Sequence, residues 1–393
     1  MTDEAPLPSE RRARLIARVR ETGSARVSDL SRALGVTPVT VRRDLALLVA
    51  EGTLEKVHGG ARIPSAATGL GARTGASTGI AQPDTSSDGA DQLTIGMVVP
   101  SIDYYWPEVI RGARDTAHEA VRLILRGASY DVDQVRRQVA ALVGDDGAPG
   151  VDGLLVAPPV DGPEAAELGE WLASLSLPVV LMERRLATGP YHAPLESVAT
   201  DHALGSGMAT RHIAERGHRH VGLVTSRTSP TSAAVRRGFL AAADELGLDV
   251  VLDLETAPLS DAGWADEAGS VLDRCAAAGA TALLVHSDRE AISLVERAQE
   301  RGVRVPADLA VIAYDDEVAG LADPPLTAVR PPKAAIGASA LELVMRRLAA
   351  VRADDPAVRD SEGGDTATGA DRPVHRIELS PRLIVRASSG SRA

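Results

Sequence analysis

The chain has 393 residues, more than one typical domain needs, so two or three domains are expected. Its 44% hydrophobic content is ample for a buried core, its lone cysteine, Cys275, excludes an intrachain disulfide, and no apolar run approaches membrane-spanning length. The net charge of −12 argues against a nucleic-acid partner only until its distribution is read: residues 1–62 carry 11 Arg and Lys against 8 Asp and Glu, whereas the remainder carries 31 against 46.

A basic head on an acidic body is the asymmetry expected when only the head meets DNA. In that head a short helix is predicted over 28–34, with Gly35 supplying the turn. Thr37 can cap a second helix that has Pro38 at its first position, where the missing N–H costs nothing. Val41, Leu45 and Leu48 share the inward face of that helix, which leaves Thr40, Arg42, Arg43 and Ala46 outward. A face with a small hydroxyl and two guanidinium groups suits a major groove. After Glu51 the chain reads as a hairpin, or wing, closed by Gly59-Gly60. The run Thr40-Val-Arg-Arg-Asp-Leu45 and the end Val57-His-Gly-Gly-Ala61 resemble the DeoR-type winged helix-turn-helix over roughly residues 10–62. On that reading Thr40, Arg42 and Arg43 are base or phosphate contacts, and Thr37 and Lys56 are phosphate contacts.

Residues 64–92, rich in Ser, Thr, Gly, Ala and Pro, read as a flexible linker spanning roughly 30 Å. The Gly69-Leu-Gly71 pattern inside it follows no strand and is rejected as a nucleotide loop. Domain bounds of 1–63 for the head and 93–389 for the body follow.

From Leu93 onward, short apolar runs alternate with helical stretches. Strands are predicted at 93–99, 122–125, 153–157 and 178–182, separated by helices near 107–119, 132–143 and 163–174. A second series follows: helix 202–216, strand 220–225, helix 232–246, strand 250–253, helix 262–278, strand 282–286, helix 289–301, strand 310–314 and helix 333–350. Residues 351–373 read as an insertion and 383–386 as a last strand. Apolar strands alternating with helices mean parallel sheets covered on both faces, here in two α/β lobes with a cleft between them. The runs Ile95-Gly-Met-Val-Val-Pro100, Val179-Val-Leu-Met-Glu-Arg184, Val303-Arg-Val-Pro306, Tyr314-Asp-Asp316 and Pro324-Pro-Leu-Thr-Ala-Val-Arg330 resemble the LacI/GalR-type sensor, which shares its fold with periplasmic sugar-binding proteins. The resemblance implies three strands crossing between the lobes, near 185–200, near 316–330 and in the segment before the final strand. The whole is expected to be an N-terminal winged helix-turn-helix plus a two-lobed, periplasmic-binding-protein-like α/β domain.

Ligands in such sheets bind beyond the carboxyl ends of strands. The first strand is followed by Asp103-Tyr-Tyr-Trp106, which holds three of the nine aromatic residues of the chain. Aromatic rings suit the C–H faces of sugars, so Asp103, Tyr105 and Trp106 are candidate contacts. The LacI/GalR resemblance implies that Glu183 and Arg184, which stand where the family has an Asp-Arg pair, bind sugar hydroxyls. Asp288 is either a ligand contact or a cap of the next helix, and Asp315 is a candidate hydroxyl acceptor. Trp264 stands where some members place a stacking indole. The family's arginine before the Gly238-Phe239 pair falls here on Val235, so Arg236 is the candidate substitute, although a one-residue shift turns a helical side chain by about 100°.

No Walker loop or His-Glu-x-x-His pattern is present, and His212, His218 and His220 lack the spacing of a zinc site. No enzymatic activity, cofactor or metal is expected. The chain is expected to be a cytoplasmic, homodimeric transcription regulator with no membrane partner, binding operator DNA through its head and a small carbohydrate in its cleft. The alternative is a carbohydrate receptor that senses without regulating. The linker lacks the minor-groove hinge helix of LacI/GalR-type proteins, so the route from ligand to DNA stays open.

Overall fold

The computed structural model describes residues 92–119, 121–144, 150–186, 195–353 and 373–390, with residues 18, 24–26, 30, 41, 55–57 and 60–62 of the N-terminal region. The chain divides into two compact units, Met1–Thr85 and Ser86–Ala393. In the first, β1 (Ser24–Arg26), β2 (Glu55–Val57) and β3 (Gly60–Arg62) form an antiparallel sheet in the order β1-β3-β2. The β2–β3 hairpin is the predicted wing, with Lys56 opposite Ala61. β1 is an addition, because its Ser-Ala-Arg sequence has no strand-like alternation. Leu30 and Val41 are helical and fully buried. The rest of the two predicted helices, with Thr37, Thr40, Arg42 and Arg43, lies outside the described residues, as do linker residues 64–91 and residues 354–372 of the insertion.

The second unit builds two lobes. Lobe 1 begins with β4 (Leu93–Val99), α1 (Trp106–Thr116), β5 (Val121–Gly127), α2 (Val132–Val143), β6 (Gly153–Val156), α3 (Pro163–Ser174), β7 (Val179–Met182) and β8 (Glu196–Thr200). Lobe 2 follows with α4 (His202–Glu215), β9 (His220–Ser226), α5 (Ser232–Glu245), β10 (Asp249–Thr256), α6 (Trp264–Ala278), β11 (Ala282–Val285), α7 (Asp288–Glu300), β12 (Ala310–Tyr314) and β13 (Thr327–Arg330). The chain then returns to lobe 1 with α8 (Lys333–Ala353) and β14 (Arg376–Leu379), and ends in lobe 2 with β15 (Arg382–Ile384). The lobe 1 sheet, ordered β14-β8-β7-β6-β4-β5, is wholly parallel. The lobe 2 sheet, ordered β10-β9-β11-β12-β13-β15, is parallel except for the β13–β15 pair.

The chain therefore crosses between lobes three times, but at sharper points than the sequence suggests: at Asp201, at Pro331-Pro332, and at Ser380-Pro381. Residues 316–330 lie wholly in lobe 2, since β13 pairs with β12 and the change of lobe comes after it. β6, β7 and β12 are buried along their full length, which is why each reads as an unbroken apolar run.

Each sheet is covered on both faces. In lobe 1, Val135, Val139 and Leu168 of α2 and α3 pack one face, and Val109, Ile336 and Val344 of α1 and α8 pack the other. In lobe 2, Leu272 and Leu294 of α6 and α7 pack one face, and Ile213 and Phe239 of α4 and α5 the other. Each such side chain contributes about 1.5–3 kcal/mol by leaving water. Backbones touch where α1 crosses α8: a Cβ on Gly337 would lie 1.9 Å from the Val109 carbonyl oxygen, and one on Gly112 would lie 1.9 Å from that of Ala334. Only glycine fits there, and α8 is thereby tied to lobe 1 immediately after the second crossing.

Candidate functional site

The carboxyl ends of β4, β5 and β7 in lobe 1 and of β9, β10, β11 and β12 in lobe 2 surround one cavity of ≈ 310 Å³. Its lining includes Tyr104, Tyr105, Trp106, Tyr130, Glu183, Arg184, His202, Thr231, His286, Ser287, Arg289, Glu290 and Asp315. Tyr105, Trp106, Glu183, Arg184 and Asp315 are thus brought together from sequence positions 105 to 315. A second cavity of ≈ 170 Å³ adjoins it and shares Glu183, Arg184, His202, Pro230 and Thr231.

The backbone at this cavity is unusual. Among the described residues, the non-glycine positions with positive φ are Tyr104 (59°), Glu183 (56°), Asp315 (93°) and Asp316 (53°), all at strand ends facing the cleft or next to it. Such conformations cost about 1–3 kcal/mol each and persist only where surrounding contacts enforce them. For Glu183 those contacts are explicit. Its Oε1 accepts from the Tyr105 hydroxyl at 2.5 Å and the Thr200 hydroxyl at 2.7 Å, and its Oε2 accepts from the Thr200 amide at 3.0 Å. Burial alone would raise its pKa, but these bonds and His202, 3.5 Å away, outweigh burial and hold the carboxyl at about 2. Glu183 is therefore an ionised organiser of the wall, with its oxygens already engaged by the protein.

Arg184 is 6% exposed. Its guanidinium carbon lies 5.8 Å from the ring centres of both Trp106 and Tyr130. Trp106 itself is 2% exposed, because as the first residue of α1 it is drawn into the lobe 1 core beside Ile95 and Val109. It backs Arg184 and does not present a free face. Tyr130, 51% exposed at the cavity rim, does. The signal for Tyr130 was available in the sequence, since it follows the predicted second strand at a carboxyl end.

In lobe 2, Asp315 is 6% exposed and its carboxylate accepts no hydrogen bond from the described residues. Burial pushes its pKa up to about 6, opposed by the positive charge of Lys333. Lys333, at the start of α8, is buried; its Nζ donates to the Asp315 carbonyl at 2.5 Å, pairs with Glu317 at 2.5 Å, and lies 5.1 Å from the Tyr105 ring centre. This lysine, one of two in the chain, ties the second crossing to the wall. His202 and His286 flank the buried Tyr314 ring at 5.8 and 5.3 Å. Burial lowers the pKa of His286 to about 4, so it is neutral at physiological pH, with Nε2 3.1 Å from the Thr231 hydroxyl.

Four sequence candidates lie away from the cavity. Asp103 is exposed in the turn before Tyr104, its amide bonded to Ser101. Asp288, the first residue of α7, is fully buried and accepts from the backbone amides of Asp316, Glu317, Val318 and Ala319 at 2.6–3.2 Å. It holds the loop after Asp315, while the cap of α7 is the Ser287–Glu290 box. Trp264 lies in the lobe 2 core with its indole N–H donating to Ser293 at 2.9 Å, because the start of α6 tucks under the sheet. Arg236 is 50% exposed and pairs with Asp253 at 2.6 Å; Val235 takes the inward position on α5, and the next residue is rotated off it. The neighbouring Arg237 reaches the smaller cavity.

The three histidines dismissed as a zinc site have separate contacts: His212 with Ser389, His218 with Thr281 and His220 near Asp249. Among the described residues no His, Cys, Asp and Glu group could hold a metal, and no helix is long and apolar enough to cross a membrane.

Two parallel-sheet lobes, three crossings and a cavity lined by aromatic and charged side chains at the strand ends define a ligand-binding body of the periplasmic-binding-protein type. Residues 210–389 match the periplasmic binding protein-like domain and residues 11–67 match the DeoR-like helix-turn-helix domain. Over 377 residues, 93% of this chain and 98% of the relative, the sequence is 30% identical to the HTH-type transcriptional repressor PurR of Photobacterium profundum. It is 25% identical over 317 residues, 79% of this chain and 80% of the relative, to the arabinose metabolism transcriptional repressor of Geobacillus stearothermophilus. The fold is that of a LacI family transcriptional regulator from Enterococcus faecium with bound ribose, at TM-score 0.57 and 21% identity, covering 76% of this chain and 98% of that one. The chain belongs to the LacI family of helix-turn-helix transcriptional repressors, here with a DeoR-like head.

Proposed function

We propose that this regulator represses genes of carbohydrate metabolism and that a small sugar or sugar derivative, held in the cleft, changes its affinity for operator DNA. The observation that carries the reading is the single cavity joining Arg184 and Tyr130 of lobe 1 to Asp315 of lobe 2. A ligand touching both lobes favours the closed arrangement over the open one, and only such differential binding can shift the equilibrium. The ligand is bound and not turned over, and the protein acts in the cytoplasm. Two chains pair so that their heads meet two half-sites at a fixed helical spacing. The relatives named above are repressors, which favours regulation over a receptor that senses alone.

In the head, Thr40, Arg42 and Arg43 face the major groove, and Thr37 and Lys56 meet phosphates. The test is a footprint upstream of sugar-utilisation genes, followed by titration with candidate effectors. Arg42→Ala and Arg43→Ala are expected to weaken operator binding by at least about tenfold, the loss of ~1–3 kcal/mol of a bidentate base contact, with effector affinity unchanged. Unchanged operator affinity in both variants removes these residues from the DNA interface.

A further inference from the structure

Three carboxylates line the main cavity, and two of them are fully engaged by the protein. Glu183 accepts from Tyr105 and Thr200, and Glu290 accepts from Ser287 and the Leu259 amide. The cations on the same surface are in the opposite condition. Arg184 donates one hydrogen bond, from NH1 to the Glu183 carbonyl at 2.7 Å. Its Nε is buried without a hydrogen-bond partner, and no carboxylate of the described residues pairs with it. Arg289, on the opposite lobe, rests over Tyr104 at 5.8 Å and likewise has no carboxylate partner among the described residues. A guanidinium cannot shed its charge by losing a proton, so a buried one needs an anion.

We propose that the effector carries an anionic group, a carboxylate or a phosphate on a polyhydroxylated backbone, and that Arg184 is its counter-ion. The inference rests on the reading of the cleft as the effector site. The Arg184 guanidinium lies against both Trp106 and Tyr130, 5.8 Å from each ring centre, which limits its movement. Its unpartnered Nε and an adjacent amino group match two oxygens of a carboxylate or phosphate. Asp315, the one cavity carboxylate without a partner among the described residues, accepts the hydroxyls. Arg184 and Arg289 line the cavity from different lobes, so an anion that reaches both favours the closed arrangement.

The test is calorimetric titration of the full chain with aldonates, uronates and sugar phosphates of pentoses and hexoses, each beside its neutral parent sugar or alditol. An acidic ligand is expected to bind at least about tenfold more tightly than its neutral parent. The carboxylate and phosphate arms distinguish the two anion types. Arg184→Gln is expected to abolish that advantage, Arg184→Lys to keep part of it, and Arg289→Gln, at an exposed position, to reduce it without loss of fold. Equal binding of neutral parents overturns the anion assignment and leaves carbohydrate sensing standing. A preference that survives Arg184→Gln in a folded variant overturns the role of Arg184. Absence of binding by every probe overturns both readings.

Discussion

The two walls of the cleft use buried charge in parallel ways. In lobe 1, Glu183 and Arg184 are neighbours: the first is bonded to Tyr105 and Thr200, the second keeps an unpartnered Nε. In lobe 2, Asp288 and Asp315 lie 27 positions apart: the first accepts four backbone amides of residues 316–319, the second accepts none from the described residues. Burial, with Asp315 nearby, pushes the Asp288 pKa up to about 7, so this carboxyl acts through its hydrogen bonds more than through its charge; each wall thus has one carboxyl that shapes a strand-end loop and one ionisable group that the loop presents to the cavity. The lesson is that two acids at the same sequence-predicted site have different jobs, and hydrogen-bond partners separate them.

The sharpest way to break this comparison is to remove the engaged carboxyls. Asp288→Ala would leave four amides, three part-buried and one buried, without their acceptor; a buried amide left wholly unpaired costs about 1–3 kcal/mol and water can reach the others, so a loss of about 2–4 kcal/mol is expected. Urea unfolding measures it, and a loss below ~1 kcal/mol would show that the loop does not depend on Asp288. Glu183→Ala is expected to cost about 2–4 kcal/mol by stranding Tyr105 and Thr200. Asp315→Asn, by contrast, removes a buried charge with no acceptor role in the fold. It is expected to keep or raise stability while weakening effector binding.

The pH dependence sharpens the same contrast, because the two carboxyls have opposite signs. Glu183 falls from 4.5 to about 2 on folding, so its contribution is complete above pH 4.5 and disappears as pH falls through 2. Asp315 rises from 3.8 to about 6, so folding is least penalised below pH 3.8 and bears the full cost above 6. Each shift corresponds to roughly 3 kcal/mol at its limit. Measured from pH 4 to 7, the wild-type protein is expected to lose stability relative to Asp315→Asn as pH rises. A constant difference between the two would contradict a raised Asp315.

The sequence made much of the body legible because parallel strands covered on both faces leave unbroken apolar runs: β4, α2, α3 and β12 fall on their predicted limits. β8, β13 and β14 were placed only coarsely, through the resemblance, because Glu-Ser-Val-Ala-Thr, Thr-Ala-Val-Arg and Arg-Ile-Glu-Leu mix polar with apolar residues. Both Glu196 and Thr200 of β8 are nevertheless buried, Glu196 against His375 at 2.9 Å. At the site, strand-end logic located Tyr105, Arg184 and Asp315, and the same logic applied to Tyr130 and His286 would have added them. Asp288 could not be resolved in this way, since its acceptor role depends on amides 28–31 residues away. Trp264 and Arg236 were carried by resemblance alone, and local burial decided otherwise.

Those two residues supply the smallest expected effects. Trp264→Phe removes the bond to Ser293 and part of a packed indole, so about 1–2 kcal/mol of stability is at stake. Effector affinity is expected to stay at the wild-type value, because Trp264 belongs to the lobe 2 core cluster with Val271, Leu272 and Leu294 and lines neither cavity. Arg236→Ala is expected to change neither stability nor effector affinity measurably. Its partner Asp253 lies with it on the solvent side of α5 and β10, and exposed pairs of this kind contribute little. Arg237→Ala, one position along the same helix, is the matched control, since Arg237 lines the smaller cavity. If Arg236→Ala weakened effector binding while Arg237→Ala did not, the cleft would have to extend around α5, and the division between shaping and presented charges would need a third wall.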